Sequence, residues 1–158
     1  MRISLDISTN PSDYAFSFDI RVRFAETDAM GVAHHSSYVA WLEAARVEFL
    51  RELGTPYPEI RAQGFDLAVL ELFTKYRRSA KFDEVVRVHT RVSSFKAATF
   101  QMEYLLIIDD EICALGAQAF MTGTGPELFS ELGARAQGCE VTENAGLSQA
   151  TQGPLKPV

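Results

Sequence analysis

The hydrophobic period of this chain changes from strand to helix around one short polar segment, and this change constrains the fold most. Between residues 16 and 24, apolar side chains alternate with Ser, Asp and Arg, which is the period of a half-buried strand. Between residues 37 and 53 they recur at steps of three and four, which predicts a long amphipathic helix. Residues 25–36 join the two patterns and carry Asp28. We therefore expect a carboxylate beside a helix N-terminus, where unpaired N–H groups and positive partial charge are available.

The chain beyond the helix has the pattern of strands. Gly54 is expected to end the helix, and Pro56 and Pro58 are expected to keep the chain from forming another one directly afterwards. Short connections favour antiparallel pairing, and the last two patterns predict a hairpin around an acidic turn. One helix and about five strands make an α+β fold, with the later strands predicted at residues 65–79, 85–92, 99–108 and 112–124.

Length and charge limit the classes of protein that fit. The 158 residues suit one domain, and the formal net charge of -6 disfavours a nucleic-acid-binding protein. No apolar run approaches the ~20 residues of a membrane-spanning helix, and the acidic N-terminus has no signal-peptide core. The two cysteines do not form a CxxC pair, so a thiolate zinc site is not expected. These features predict a cytoplasmic protein.

Three segments are expected along the chain. Residues 1–14 are polar and are predicted to form a loose arm, and residues 15–125 form the folded domain. Residues 126–158 are rich in small and polar residues and predict a weakly ordered tail with room for a short helix at its start. Because one helix does not cover all the apolar residues and sheet edges, we also expect self-association.

Two motifs resemble a known family. The run FAETDAMGVAHHSSYVAWLEAAR and the run KYRRSAKFDEVVRVHTRV are similar to segments of the hot-dog fold acyl-CoA thioesterases of the 4-hydroxybenzoyl-CoA thioesterase type. The resemblance spans roughly residues 20–123. Two departures stand out, because Glu26 stands where many members have Asp and Ser79 where many have Pro. The first motif comprises Phe24, Glu26-Thr27-Asp28, Gly31-Val32, His34-His35, Tyr38, Glu43 and Arg46.

The resemblance implies a fold and an activity. The fold would be a curved antiparallel sheet of about five strands wrapped on one long helix. The activity would be hydrolysis of an acyl-CoA to the free acid and CoA, in a channel between the subunits of a homodimer or a dimer of dimers, with no metal or redox cofactor. Two alternatives stay open: hydration or dehydration of an acyl thioester on the same fold, and a module that binds acyl-CoA or acyl carrier protein without catalysis.

Asp28 and His35 are the candidate catalytic residues. Asp28 is predicted to act as general base or as nucleophile, although its place beside a helix start also fits an acid that merely stabilises the helix. The resemblance implies that the backbone N–H near His35 polarises the thioester carbonyl. Two roles stay open for the His35 ring: it could orient water or Asp28, or it could be a loop side chain without a catalytic role.

The candidate substrate-binding residues form two groups. Near Asp28, Gly31 and Val32 are expected to shape the turn, while His34 and Tyr38 flank the helix start; Tyr38 also fits a core position. A basic patch is expected to hold the phosphates of CoA, although most of its members individually also fit an ordinary solvated surface. This patch comprises Arg77, Arg78, Arg91, Ser93, Ser94 and Lys96.

Overall fold

The computed structural model describes residues 2–96 and 99–122, which form one antiparallel sheet with a long helix on one face. The strands are β1 (Phe16–Arg21), β2 (Leu67–Tyr76), β3 (Val85–Lys96), β4 (Thr99–Ile108) and β5 (Glu111–Thr122), in the spatial order β1-β3-β4-β5-β2. The helices are α1 (His35–Glu52) and the short α2 (Tyr57–Ala62). The predicted hairpin is confirmed, since β4 and β5 pair around a turn in which Asp109 and Asp110 both have positive φ.

The helix α1 covers the inner face of the sheet. Its stripe of Tyr38, Trp41, Leu42, Ala45 and Phe49 is buried against the valines of β3 and the apolar residues of β4 and β5. A side chain at position 116 would lie 3.0 Å from Leu42 Cδ1, so glycine lets the helix approach β5. The predicted helix stripe is therefore confirmed, and the helix begins two residues earlier than its apolar pattern because His34 caps it.

Residues 1–14 differ from the expected loose arm. Of these, the described residues from 3 onward lie against the outer face of the sheet, where Ile7 and Tyr14 are buried with Leu105 and Leu115. The backbone N–H groups of Ile3 and Ser4 donate to the side chains of Glu71 and Gln101, at 2.8 Å each. Two apolar side chains among polar neighbours are enough to fix the segment, because an exposed sheet face is already available to bury them.

Two local expectations are also wrong. The chain forms α2 directly after α1, because Pro56 is its N-cap and a proline occupies its first turn, where no amide hydrogen is needed. The strand β1 ends at Arg21, and Phe24 lies in a 3-10 turn with 77% of its surface exposed. The predicted tail, residues 126–158, lies outside the described residues. Within the described ranges, no helix has the length and apolar character needed to cross a bilayer.

Candidate active site

The loop between β1 and α1 folds around Glu26. The Glu26 carboxylate is 9% exposed and accepts hydrogen bonds from Arg23 N and Arg23 Nη2 at 2.8 Å and from Trp41 Nε1 at 3.1 Å. Its carbonyl oxygen accepts from His34 N at 2.8 Å and from Ser37 Oγ at 3.1 Å. Burial alone would raise the pKa of Glu26, but the hydrogen bonds from Arg23 and Trp41 outweigh it and lower the pKa. One buried acid thus ties the loop to the first turns of α1.

Asp28 follows two residues later in a tight turn. Its backbone N–H donates to Val32 O, and its carbonyl accepts from Gly31 N, both at 2.9 Å. Gly31 has φ +74°, a conformation that a residue with a side chain adopts at a cost. The Asp28 carboxylate accepts the Met30 N–H at 2.8 Å through Oδ1, and no described residue donates to Oδ2. A half-buried carboxylate is therefore left with one oxygen available.

The helix start faces the same cleft. His34 is the N-cap, and its Nδ1 accepts the Ser36 N–H at 3.3 Å. His35 is the first helical residue, and no acceptor for its backbone N–H lies among residues 2–96 and 99–122. The His34 and His35 rings lie 4.0 Å apart, centroid to centroid. An unpaired N–H at a helix N-terminus is suited to bind a carbonyl oxygen that gains negative charge.

A cleft of about 270 Å³ brings these groups together. It contains Asp28 and His35 from the loop and helix start, and Tyr76 from the end of β2. Tyr76 donates a hydrogen bond from its hydroxyl to His35 O at 3.3 Å and packs edge-on against Tyr38, with the ring centroids 4.9 Å apart. The other residues that line the cleft are Ala33, Tyr38, Arg77, Arg78 and Ser79.

Tyr38 forms the buried wall of this cleft. Its hydroxyl accepts the Ala80 N–H at 3.3 Å and lies 3.7 Å from Cys113 Sγ. Burial raises the pKa values of the Tyr38 hydroxyl and of the Cys113 thiol, so both groups are neutral at ordinary pH. Cys113 is fully buried, and its thiol donates to Arg78 O at 3.2 Å. These contacts join α1 to the segment after β2 and fix the cleft wall.

The predicted basic patch is divided between two places. Arg77 is exposed at the cleft, and no described residue pairs with its guanidinium. Arg78 also lines the cleft but forms ion pairs with Glu84 at 2.9 Å and Glu111 at 3.0 Å, which raise its pKa. Ser93, Ser94 and Lys96 lie at the far end of β3 from the cleft residues.

Arg91 is not part of the cleft. It binds the buried Glu103 with Nη2 at 2.6 Å and Nε at 3.0 Å, and its guanidinium lies 5.1 Å from the centroid of the Tyr14 ring. The sequence analysis grouped Arg91 with the other cations because they lie in the same stretch of the chain, and the N-terminal segment that contacts Arg91 was not expected to pack. A second, larger cleft of about 480 Å³ includes Asp19, Arg87 and His89, and burial lowers the pKa of His89 there. Among the residues that line that cleft there is no α-helix N-terminus and none of the residues of the first motif.

Sequence reasoning missed Tyr76 as a site residue. It was read as one more position of a long strand, and its contact with His35 depends on where β2 ends relative to α1. The described residues contain no group of three His, Cys, Asp or Glu side chains placed to hold a metal ion. The expectation that the protein needs no cofactor stays a prediction.

Comparison with known proteins decides the family. Residues 22–123 match the thioesterase-like superfamily. The chain belongs to this superfamily. It is 38% identical over 96 residues to the acyl-CoA thioesterase YbgC of Haemophilus influenzae, a match that covers 60% of this chain and 71% of that protein. The DHNA-CoA thioesterase structure from Staphylococcus aureus is 30% identical, with a TM-score of 0.65 and coverage of 67% of this chain and 72% of that one.

A more distant neighbour supports the fold. The structure of the BH1999 gentisyl-coenzyme A thioesterase has a TM-score of 0.71 and covers 75% of this chain and 99% of that one, at 24% identity. The predicted hot-dog fold, a curved five-stranded antiparallel sheet around one main helix, is therefore confirmed. The predicted class of enzyme, a thioester hydrolase, is confirmed by the superfamily match and the named relatives. The roles of individual residues stay predictions.

Proposed function

We propose that this thioesterase hydrolyses acyl-CoA in the cleft between the Asp28 turn and the start of α1. The observation that supports it is the meeting of a carboxylate with a free oxygen and an unpaired helix N-terminal N–H in one cleft. A thioester needs these two groups on opposite sides of its carbonyl: a donor for the oxygen and a base or nucleophile for the carbon. The names of the relatives, acyl-CoA thioesterases among them, support the choice of substrate.

The reaction adds water to the thioester and releases a thiol. The His35 N–H binds the carbonyl oxygen and stabilises the charge that develops on it, a contribution worth ~10²–10³-fold in rate. Asp28 either takes a proton from the attacking water or attacks the carbonyl itself to form a mixed anhydride, which water then hydrolyses. In both routes the C–S bond breaks, the CoA sulfur leaves with the electron pair and a proton, and the acyl group leaves as the free acid. Arg77, which is exposed at the cleft, would pair with a phosphate of CoA.

We also propose that a second copy of the chain packs against β2. This strand lies at the sheet edge, so one side of its backbone has no partner strand among residues 2–96 and 99–122. Its apolar side chains Val69, Leu70 and Leu72 are 49%, 43% and 43% exposed, which is a large apolar surface for one strand. Pairing of β2 with its copy would satisfy the backbone groups of this edge and would add a second wall beside Tyr76, next to the cleft.

The test of the reaction separates the three candidate activities by their products. Wild-type protein is incubated with a panel of aliphatic and aromatic acyl-CoAs, and free thiol and organic product are both measured. Hydrolysis releases one thiol for each free acid, which is the expected result. A hydrated or dehydrated thioester without thiol release, or saturable binding without any product, would contradict the proposal. Light scattering on the same sample tests self-association, for which we expect at least twice the mass of one chain.

A further inference from the structure

The inner face of β2 is left open next to the candidate active site. The pairing of β2 with β5 shows which β2 side chains lie on the face of the sheet that α1 covers elsewhere. These residues, each with the β5 residue opposite it, are Val69 (Phe120), Leu72 (Gln118), Thr74 (Gly116) and Tyr76 (Ala114). Leu72 and Tyr76 are nevertheless 43% and 47% exposed, because α1 packs over β1 and β3. We call these four β2 residues the open strip. It starts at Tyr76, in the cleft with Asp28 and His35, and leads away from it along the sheet.

Arg46 lies at the distal part of the open strip. Its Nη1 is 3.4 Å from the side-chain oxygen of Gln118, the β5 residue opposite Leu72, and its guanidinium carbon is 4.7 Å from the centroid of the Phe120 ring. Leu72 and Tyr76 are four residues apart, about 14 Å along an extended strand. A group that enters at the cleft and follows the open strip would therefore reach Arg46 at its far end.

Arg46 is a buried charge without a counter-ion. It is 9% exposed, yet no described carboxylate lies within ion-pair distance, whereas the buried Glu26 and Glu103 each pair with an arginine. The bond to Gln118 is long, and the Gln118 oxygen already accepts the Tyr104 hydroxyl at 2.8 Å. The Nε atom of Arg46 is buried and has no hydrogen-bond partner in the described part of the chain.

The neighbours that Arg46 does have are too weak to account for its burial. A cation over an aromatic ring is worth about 0.5–2 kcal/mol. Removing a charge from water costs several kcal/mol even after relaxation. A second orphaned polar atom lies on the same path, since Thr74 Oγ1 is buried and also lacks a described partner. Of the three buried side-chain polar atoms without a described partner, these two lie along the open strip, and the third, Thr90 Oγ1, lies on β3. A polar ligand group that entered along the open strip would complete the first two.

We propose that Arg46 recognises an anionic oxygen group, most simply a carboxylate, on the end of the acyl group distal to the thioester. This inference rests on the proposed function, because the thioester must lie at Asp28 and His35 for the distal end to reach Arg46. The apolar side chains of the open strip contact the middle of the acyl group, and the guanidinium binds its charged end with paired hydrogen bonds. Arg46 is then a residue that determines specificity and takes no part in bond breaking.

The test uses pairs of acyl-CoAs that differ by a terminal carboxylate: hexanoyl and adipoyl, octanoyl and suberoyl, decanoyl and sebacoyl. The quantity compared is the ratio of kcat/KM for the carboxylated member to that for its alkyl counterpart. We expect this ratio to reach about tenfold or more at one chain length in the wild type, as a charged hydrogen bond predicts. In Arg46→Met the ratio should fall to one or below. The ratio for Arg46→Lys should lie between those of the wild type and Arg46→Met, since lysine keeps the charge but cannot form the paired hydrogen bonds of a guanidinium.

Arg51→Met is the matched control. Arg51 lies on the same helix but is exposed and pairs with Glu48, so this variant should keep the wild-type ratio. A wild type that prefers the alkyl member at every length, or an Arg46→Met variant with the wild-type ratio, overturns the proposal. Alkyl acyl-CoA turnover reports on the proposed function separately. If no ester is hydrolysed, calorimetric dissociation constants for the same pairs give the ratios instead.

A carboxylate of a second copy is the other source of a counter-ion. In that case Arg46→Met would shift the protein toward the monomer in light scattering and leave the substrate ratio unchanged, which also overturns the proposal. Misfolding is checked by the thermal midpoint. Because methionine replaces an unpaired buried charge with an apolar side chain of similar length, we expect the midpoint of Arg46→Met to be equal to or above that of the wild type.

Discussion

Asp28 and Glu103 are two acids in one small domain with opposite surroundings. Glu103 is 2% exposed, and its carboxylate accepts two hydrogen bonds from Arg91 and one from Gln101. Asp28 is half-buried at a cleft and accepts one backbone N–H, with no cation paired to it in the described residues. A buried carboxylate whose two oxygens both have partners stabilises the fold and has no oxygen free to face a substrate. The comparison teaches that missing partners, more than burial or charge, separate the candidate catalytic acid from the structural one.

The largest effect on stability is expected from Arg91→Met. This change leaves the Glu103 carboxylate buried without its counter-ion, so the free energy of unfolding should fall by about 3 kcal/mol. Urea unfolding measures the loss, and the double variant Arg91→Met/Glu103→Leu should recover most of it. An unchanged midpoint, or a rise in KM for acyl-CoA without loss of stability, would mean that Arg91 belongs to the substrate site after all.

Glu26→Gln is expected to affect both stability and turnover. Glutamine has one acceptor oxygen for the three donors that the Glu26 carboxylate now binds, so we expect the free energy of unfolding to fall by about 2 kcal/mol. Because Glu26 ties the Asp28 turn to the start of α1, kcat should fall more than KM rises. A stability loss with wild-type kcat would show that the loop keeps its geometry without this acid.

The lowered pKa of Glu26 predicts a pH dependence with a defined sign. A carboxyl whose folded pKa is below its ordinary value of 4.5 stabilises the protein above that value and loses this contribution as pH falls through the lower, folded pKa. The difference in unfolding free energy between wild type and Glu26→Gln should thus be constant at neutral pH and shrink below about pH 4.5. Glu48→Gln, on an exposed pair, is the control and should show little change. A difference that grew on acidification would contradict the assignment.

Gly31→Ala gives the smallest of these effects. Gly31 has φ +74°, and no atom within 4 Å would clash with an added Cβ, so the cost is backbone strain alone, about 1 kcal/mol. Thermal unfolding measures it. The variant keeps every side chain of the cleft, and its kcat therefore reports how sensitive turnover is to the shape of the Asp28 turn. A midpoint equal to that of wild type would show that the turn relaxes freely.

Helices and strands whose apolar residues follow one clear period were predicted well from the sequence. The helix stripe follows from the three- and four-residue spacing of its apolar side chains, and its burial is observed. The strand predicted at residues 85–92 is likewise observed within β3. The motif around Asp28 predicted both the superfamily and the meeting of an acid with a helix start. These features are local, so neighbouring residues carry the information.

Features that depend on distant partners were not predicted. The packing of Ile7 and Tyr14 on the outer face, and the removal of Arg91 from the basic patch, both depend on a segment and a sheet far apart in sequence. Tyr76 and Arg46 are similar cases, because the pairing of β2 with β5 brings Tyr76 to the cleft and the packing of α1 on β5 brings Arg46 to Gln118. Hydrophobic period identifies a face but does not identify what will cover it.

Turnover of Asp28→Asn tests the central claim most directly. Asparagine keeps the size of the side chain and its acceptor for the Met30 N–H, so the turn should be retained and the thermal midpoint should stay close to wild type. With the base or nucleophile removed, thiol release from the best acyl-CoA of the panel should fall by ~10²–10⁴-fold. The matched control Asp66→Asn, on an exposed ion pair, should keep wild-type turnover. Near wild-type turnover by a folded Asp28→Asn protein would contradict the account.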